Sequence, residues 1–322
     1  KAHQQQSSKE QRLARLSKTI EELERKDVFS GTVRIAQGEK VLFEQAAGEM
    51  NKISGQKNTA TTRFNLGSIN KMFTATAIMQ LIEKGELSLN DTISNYVDST
   101  WLSPEISNKI TIHHLLSHTS GLGDFFNERF EKSPPSAFMK LAGFKAFVKT
   151  NTLAFEPGTD WAYSNSGMLL LGAIIEKVSG EDYFSYIAEH IYKPSGMVNS
   201  NSADPNQEPD QIAIGYIPQP DGTYRSNLNT GPARRSAAGG GYSTVEDLHK
   251  FALALNSGKL ISNASKMAMF TDHKGHGYGY GFQLWNRYGE AMRGHSGGAP
   301  GINASFYMIP KDNYIMVVLS NY

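Results

Sequence analysis

Ser68 and Lys71 stand three residues apart at the head of an apolar stretch, Ser68-Ile-Asn-Lys-Met-Phe-Thr-Ala-Thr-Ala-Ile-Met79. Met72, Thr76, Met79 and Ile82 recur at helical spacing and Gly85 is a C-terminal stop, so the spacing predicts a helix over 72–83. Ser68 then falls at or near its first turn, where unpaired backbone N–H groups and the positive end of the helix dipole favour an oxyanion. Lys71 shares a face with Ser68. A lysine pressed into an apolar helix is expected to have a lowered pKa and to accept a proton. The pair reads as a nucleophile with a base one turn away, although the same tetrapeptide also describes a serine cap beside a surface lysine. Two more short motifs carry polar groups of a catalytic kind: Tyr163-x-Asn165 in a loop before a helix, and His295-Ser296-Gly297-Gly298 at the end of a strand.

The elements that must position these groups follow from pattern and punctuation. Ser8 with Gln11 suggests a capping box, and Leu13, Leu16, Ile20 and Leu23 mark one face of a helix expected to pack on a sheet. Residues 32–36 and 40–45 read as a hairpin around Gln37-Gly38-Glu39. Thr111 is expected to cap a short helix over 112–117. Residues 124–150, with Phe125, Phe126, Phe130 and two prolines, read as an excursion near the mouth of a site; the phenylalanines fit an acyl pocket and plain packing equally. Helices are expected over 167–178 and 183–191, the second stopped by Pro194. Residues 199–235 read mostly as loop, with a hairpin at Asp221-Gly222, and Ala237 to Gly241 lets backbone approach something closely. Ser243 with Glu246 suggests a second capping box. Strands are expected over 279–285, 291–296, 303–309 and 314–320. The economical architecture is α+β: an antiparallel β-sheet from both chain ends, flanked by helices, with an inserted mostly helical domain. The division is residues 8–72 plus 237–322 against 73–236, with the site at their interface.

Composition narrows the function. A net charge of +1 gives no electrostatic case for nucleic acid or an anionic membrane. No stretch is long and apolar enough to span a bilayer. There is no cysteine, hence no thiol nucleophile, disulfide or Cys-based metal site; this fits an exported bacterial protein. The first residue is Lys1, which we read as a processed or trimmed start with the signal peptide absent. His114 and His118 are four apart, but Leu115 stands where a metalloprotease motif needs glutamate, so the histidines are read as structural and no metal or cofactor is expected. Glu156, before Pro157, is read as a turn residue.

In this order and context the three motifs resemble the serine β-lactamase and penicillin-binding protein superfamily. The stretches His114-Leu-Leu-Ser-His-Thr-Ser-Gly-Leu122, Pro157-Gly-Thr-Asp-Trp-Ala-Tyr-Ser-Asn165, Gly239-Gly-Gly-Tyr-Ser-Thr-Val-Glu-Asp-Leu248 and Gly294-His-Ser-Gly-Gly-Ala-Pro-Gly301 resemble its class C β-lactamase-related branch, with His-x-Gly as a variant of the usual Lys-Thr-Gly. The likeness runs from the first hairpin to Tyr322, where the family normally continues into a terminal helix. It implies that Ser68 is the nucleophile, that Lys71 and Tyr163 are the acid/base pair, and that the N–H groups of Ser68 and Gly298 form the oxyanion hole. Either Lys71 or Tyr163 is the base, the phenol needing an adjacent cation to act as one. Asn165 would face the substrate or hold Lys71. His295 is expected to be mostly neutral at pH 7, tilting preference from carboxylate-bearing substrates toward esters, with Arg293 on the same strand face able to restore a positive charge. If His295 anchors anions, KM for them rises between about pH 6 and 7.5. The implied function is a metal-free serine hydrolase acting on a small-molecule or peptide ester or amide, slow with β-lactams. A true DD-carboxypeptidase or β-lactamase, and a non-catalytic sensor or scaffold, are the alternatives.

Overall fold

The computed structural model describes residues 2–202, 210–231 and 235–322. The first helix, α1 (Ala2–Arg25), begins before Ser8, so the capping box expected there does not start it. It leads to the hairpin β1 (Gly31–Gln37) and β2 (Lys40–Ala47), which turns at Gly38 with φ +54°. Near the other end lie β3 (Gln283–Arg287), β4 (Glu290–Ala299), β5 (Ile302–Ile309) and β6 (Tyr314–Ser320). Among the described residues these six form one antiparallel sheet in the order β2-β1-β6-β5-β4-β3. The two chain ends are joined by β1 and β6, which pair from Gly31 opposite Ser320 to Gln37 opposite Tyr314.

Alternation decides the faces of the sheet. Phe306, Met308, Ile315, Val317 and Leu319 enter the main core, while Val33, Phe43 and Val318 meet Leu16 and Ile20 of α1 on the other side. Burial on both faces holds the register, because a one-residue slip would exchange them. Tyr280, expected in a strand, instead lies with Tyr278 in a turn before β3. Gly279 N–H bonds Phe282 O, Gly281 has φ +72°, and both tyrosines point inward.

The helix carrying Lys71, α2 (Asn70–Glu83), is buried at every position from Asn70 to Met79. Its one-faced periodicity understates this: it is a central helix, packed by α3 (Asn165–Ser179), and the turn that leads into it lies against β4. Helix α4 (Tyr183–Ile187) continues through a π turn (Ala188–Tyr192) into a last turn (Lys193–Ser195), so Pro194, expected to stop it, lies inside it. Pro194 brings no N–H, and Gln80 Nε2 donates to the His190 carbonyl at 3.1 Å. Helix α5 (Val245–Asn256) is capped by Thr244, whose Oγ1 accepts the Asp247 N–H, rather than by Ser243. The core is continuous from the sheet into the helices. The hairpin expected at Asp221-Gly222 is present, pairing Tyr216–Pro218 with Tyr224–Ser226; residues 203–209 and 232–234 of the same stretch lie outside the described residues. No helix among the described residues is long and apolar enough to cross a membrane.

Candidate active site

Ser68 sits in a 3-10 turn, Gly67–Ile69, that runs directly into α2. Three backbones converge on it. A Cβ on Gly297 would come within 2.1 Å of Leu66 O and 3.0 Å of Ser68 N, and one on Gly67 within 3.1 Å of Gly298 N. Only glycine allows the end of β4 to lie this close to the turn. From the third side Gly240 N–H bonds Gly67 O, and Gly241 O accepts from Leu66 N–H. The close approach expected of residues 237–241 is therefore toward the Ser68 turn itself.

Lys71 is fully buried and its Nζ donates to Ser68 Oγ at 2.8 Å and to the carbonyl of Ala238. Burial, only partly opposed by the negative charge of Asp124, pushes its pKa down to about 7. Near neutrality roughly half of this amine carries a free lone pair against a hydroxyl. The carbonyls behind it are also held: Ala237 O accepts from Thr74 Oγ1 at 2.7 Å, which in turn bonds Tyr183 OH at 2.6 Å.

The Tyr163 ring lies 4.8 Å from Lys71 Nζ, and its hydroxyl is near enough to Ser68 to feel it. Burial drives its pKa up rather than down. Lys71 and Tyr163 were both open as the base; burial raises the phenol, with the charge of Asp124 adding to it, while burial lowers the amine, a difference that favours Lys71. Asn165 does not hold Lys71. Its Nδ2 donates to Asp124 Oδ2 at 2.7 Å, while the residue lines the cleft.

His295 and Arg293 are corrected by their surroundings. His295 is 1% exposed, with Nδ1 bonded to Ser296 O at 2.6 Å and Nε2 facing Tyr278 OH at 3.0 Å. Nδ1 thus carries the proton and Nε2 accepts. Burial first, then the Lys71 charge, pushes its pKa down to about 3. It stays neutral throughout pH 6–7.5, so the expected rise in KM from its titration is withdrawn. The Arg293 guanidinium lies 3.9 Å over the Phe270 ring and does not line the cleft, so it supplies no charge there. Gly298 does line it, beside Ser68.

His114 and His118 serve the backbone. His114 Nδ1 accepts the Thr111 N–H, completing the expected cap, and His118 Nδ1 accepts the Ser164 N–H at 3.1 Å beneath the Tyr163 ring. Glu156 closes a turn to Thr159 and pairs with Lys109 at the surface. Among the described residues no cluster of three or more His, Asp or Glu is arranged for a metal. Two features escaped sequence reasoning. Asp124 had no signal linking it to Asn165, forty-one residues on. The Ala238 carbonyl has no side chain to announce it; the run of small residues was its only trace.

The profile of the beta-lactamase family matches residues 16–322. The chain belongs to the beta-lactamase family. Penicillin-binding protein 4* of Bacillus subtilis (strain 168) is 30% identical over 332 residues, 97% of this chain and 72% of the relative. The crystal structure of a penicillin-binding protein from Bacillus halodurans superposes with a TM-score of 0.86 at 33% identity, covering 94% of this chain and 93% of that one. The D-amino acid amidase of Ochrobactrum anthropi SV3 reaches a TM-score of 0.78 at 23% identity, over 91% and 87% of the two chains, a likeness of fold. The expected family and the α+β class, an antiparallel sheet flanked by helices, are borne out. Its relatives at 30% identity or more bear the name penicillin-binding protein.

Proposed function

We propose that the chain is a serine hydrolase that forms an acyl-enzyme at Ser68 and cleaves an ester or amide. The observation that carries this is the 2.8 Å contact between Ser68 Oγ and a buried lysine whose pKa is near 7. Neutral Lys71 takes the Ser68 proton as Oγ attacks the carbonyl carbon. The oxyanion that forms is met by the N–H groups of Ser68 and Gly298, donors fixed in place before the charge develops. Tyr163, still protonated, gives its proton to the leaving group and is recharged from Lys71. Water then attacks the acyl-enzyme by the reverse proton path. On this reading the cleft lies where the sheet unit (8–72 and 237–322) meets the inserted unit (73–236), and the protein is exported.

The relatives named as penicillin-binding proteins favour a second reading, a carboxypeptidase or β-lactamase proper. Against it, neither expected carboxylate anchor is available: His295 is buried and neutral, and Arg293 faces Phe270. We therefore favour uncharged acyl donors, with β-lactams reacting slowly. Labelling with a fluorophosphonate tests the reaction class: the wild type should label and Ser68→Ala should not, whereas an unlabelled wild type would favour a non-catalytic scaffold. Rapid nitrocefin turnover, or D-Ala release from a cell-wall peptide, would move the assignment to the second reading.

A further inference from the structure

One wall of the cleft is unused by the acyl-transfer chemistry. The cleft encloses about 880 Å³, and Phe125, Phe126, Phe130 and Phe144 line it together with Ser68 and Asn165. The rings form one cluster, with centroids 4.4 Å apart for Phe125–Phe126 and 5.2 Å for both Phe125–Phe130 and Phe125–Phe144. Phe125 and Phe130 are buried, but Phe126 is 56% exposed. An apolar ring left in water inside a cleft, continuous with a packed aromatic cluster, is surface that a ligand can cover.

The wall is also held in place. Asp124 Oδ1 accepts the N–H groups of Phe125 at 2.8 Å and Phe126 at 3.3 Å, while Oδ2 accepts from Asn165 Nδ2. Ser164 Oγ donates to Gly123 O at 2.7 Å. The turn bearing the phenylalanines is thus tied to the two residues that follow Tyr163, and its position relative to Ser68 is set by the same bonds. Among the described residues the Tyr163 ring packs on His118, Tyr278 and His295 and on none of these phenylalanines. Among the described residues no ring of the wall thus stacks on the tyrosine that would meet the leaving group. The Asp124 charge at its base, which Lys71 senses, disfavours a carboxylate beside the scissile bond.

We propose that this wall is the acyl subsite: the preferred substrate carries an uncharged, apolar acyl chain or ring laid against Phe126. This rests on the acyl-enzyme reading above. The test is the chain-length dependence of kcat/KM for p-nitrophenyl acetate, butyrate, hexanoate and octanoate. Burying methylenes against the wall should raise kcat/KM roughly two- to fourfold per methylene over the shorter esters. Phe126→Ala should cut the hexanoate-to-acetate ratio about tenfold, and Phe126→Leu should restore most of it. A ratio taken within one variant is insensitive to partial loss of folded enzyme. Turnover with no rise along the series, or an unchanged ratio in Phe126→Ala, would overturn the subsite alone. No turnover together with no fluorophosphonate labelling of Ser68 would overturn the acyl-enzyme reading and the subsite with it.

Discussion

Lys71 at the head of α2 and His295 on β4 are both basic, both buried, and close enough for the lysine charge to depress the histidine. Their fates differ because of what each polar atom touches. The Lys71 amine meets a hydroxyl, a carbonyl and the field of Asp124, so burial lowers its pKa only to about 7 and leaves it able to exchange a proton. The His295 ring is closed between Ser296 O and Tyr278 OH, with no acid to offset burial, and at about 3 it is out of use as a proton carrier near neutrality. Burial alone does not make a reactive group; a balancing charge and an open neighbour do.

The contrast is broken most forcefully at the lysine. Lys71→Met should lower the rate of Ser68 acylation by roughly 10²–10⁴-fold, the usual worth of a positioned base, measured as fluorophosphonate labelling with melting curves alongside. His295→Phe should act on stability instead, costing about 1–3 kcal/mol as the Tyr278 hydroxyl and Ser296 carbonyl lose buried partners, read as a shift in denaturant midpoint. A drop in activity beyond the loss of folded protein would return His295 to the chemistry. Thr74→Val removes the donor to Ala237 O, next to the carbonyl that holds Lys71; about 1 kcal/mol of stability and a fall in kcat larger than the change in KM are expected, with Thr74→Ser recovering both. The smallest effect is at Asp124. Its charge raises the Lys71 pKa, so Asp124→Asn should move the acid limb of the kcat/KM profile to lower pH, as a pH series from 5 to 9 would register.

Local patterning made the frame legible. Alternation located β5 and β6 within a residue or two, and the cap at Thr111 was readable because its bonds are made within a few residues. Boundaries slipped where a neighbour supplied what the local text lacked, as with Gln80 beside Pro194. In the candidate site, Ser68 and Lys71 were legible because one helical turn joins them. His295 and Arg293 were misjudged because alternation says which face a residue takes but not what covers it. Asp124 was missed because its importance lies in a contact with Asn165 that no spacing rule connects.

The account stands on Lys71 drawing the proton from Ser68. The most direct measurement is the rate of Ser68 labelling by a fluorophosphonate between pH 5.5 and 9, in the wild type with Ser68→Ala as control. Because the neutral amine is the active form, the rate should fall about tenfold per pH unit on the acid side, rise through a midpoint near pH 7 and level above it, with no labelling of the control. A rate that does not change across this range, or equal labelling of the control, would contradict it.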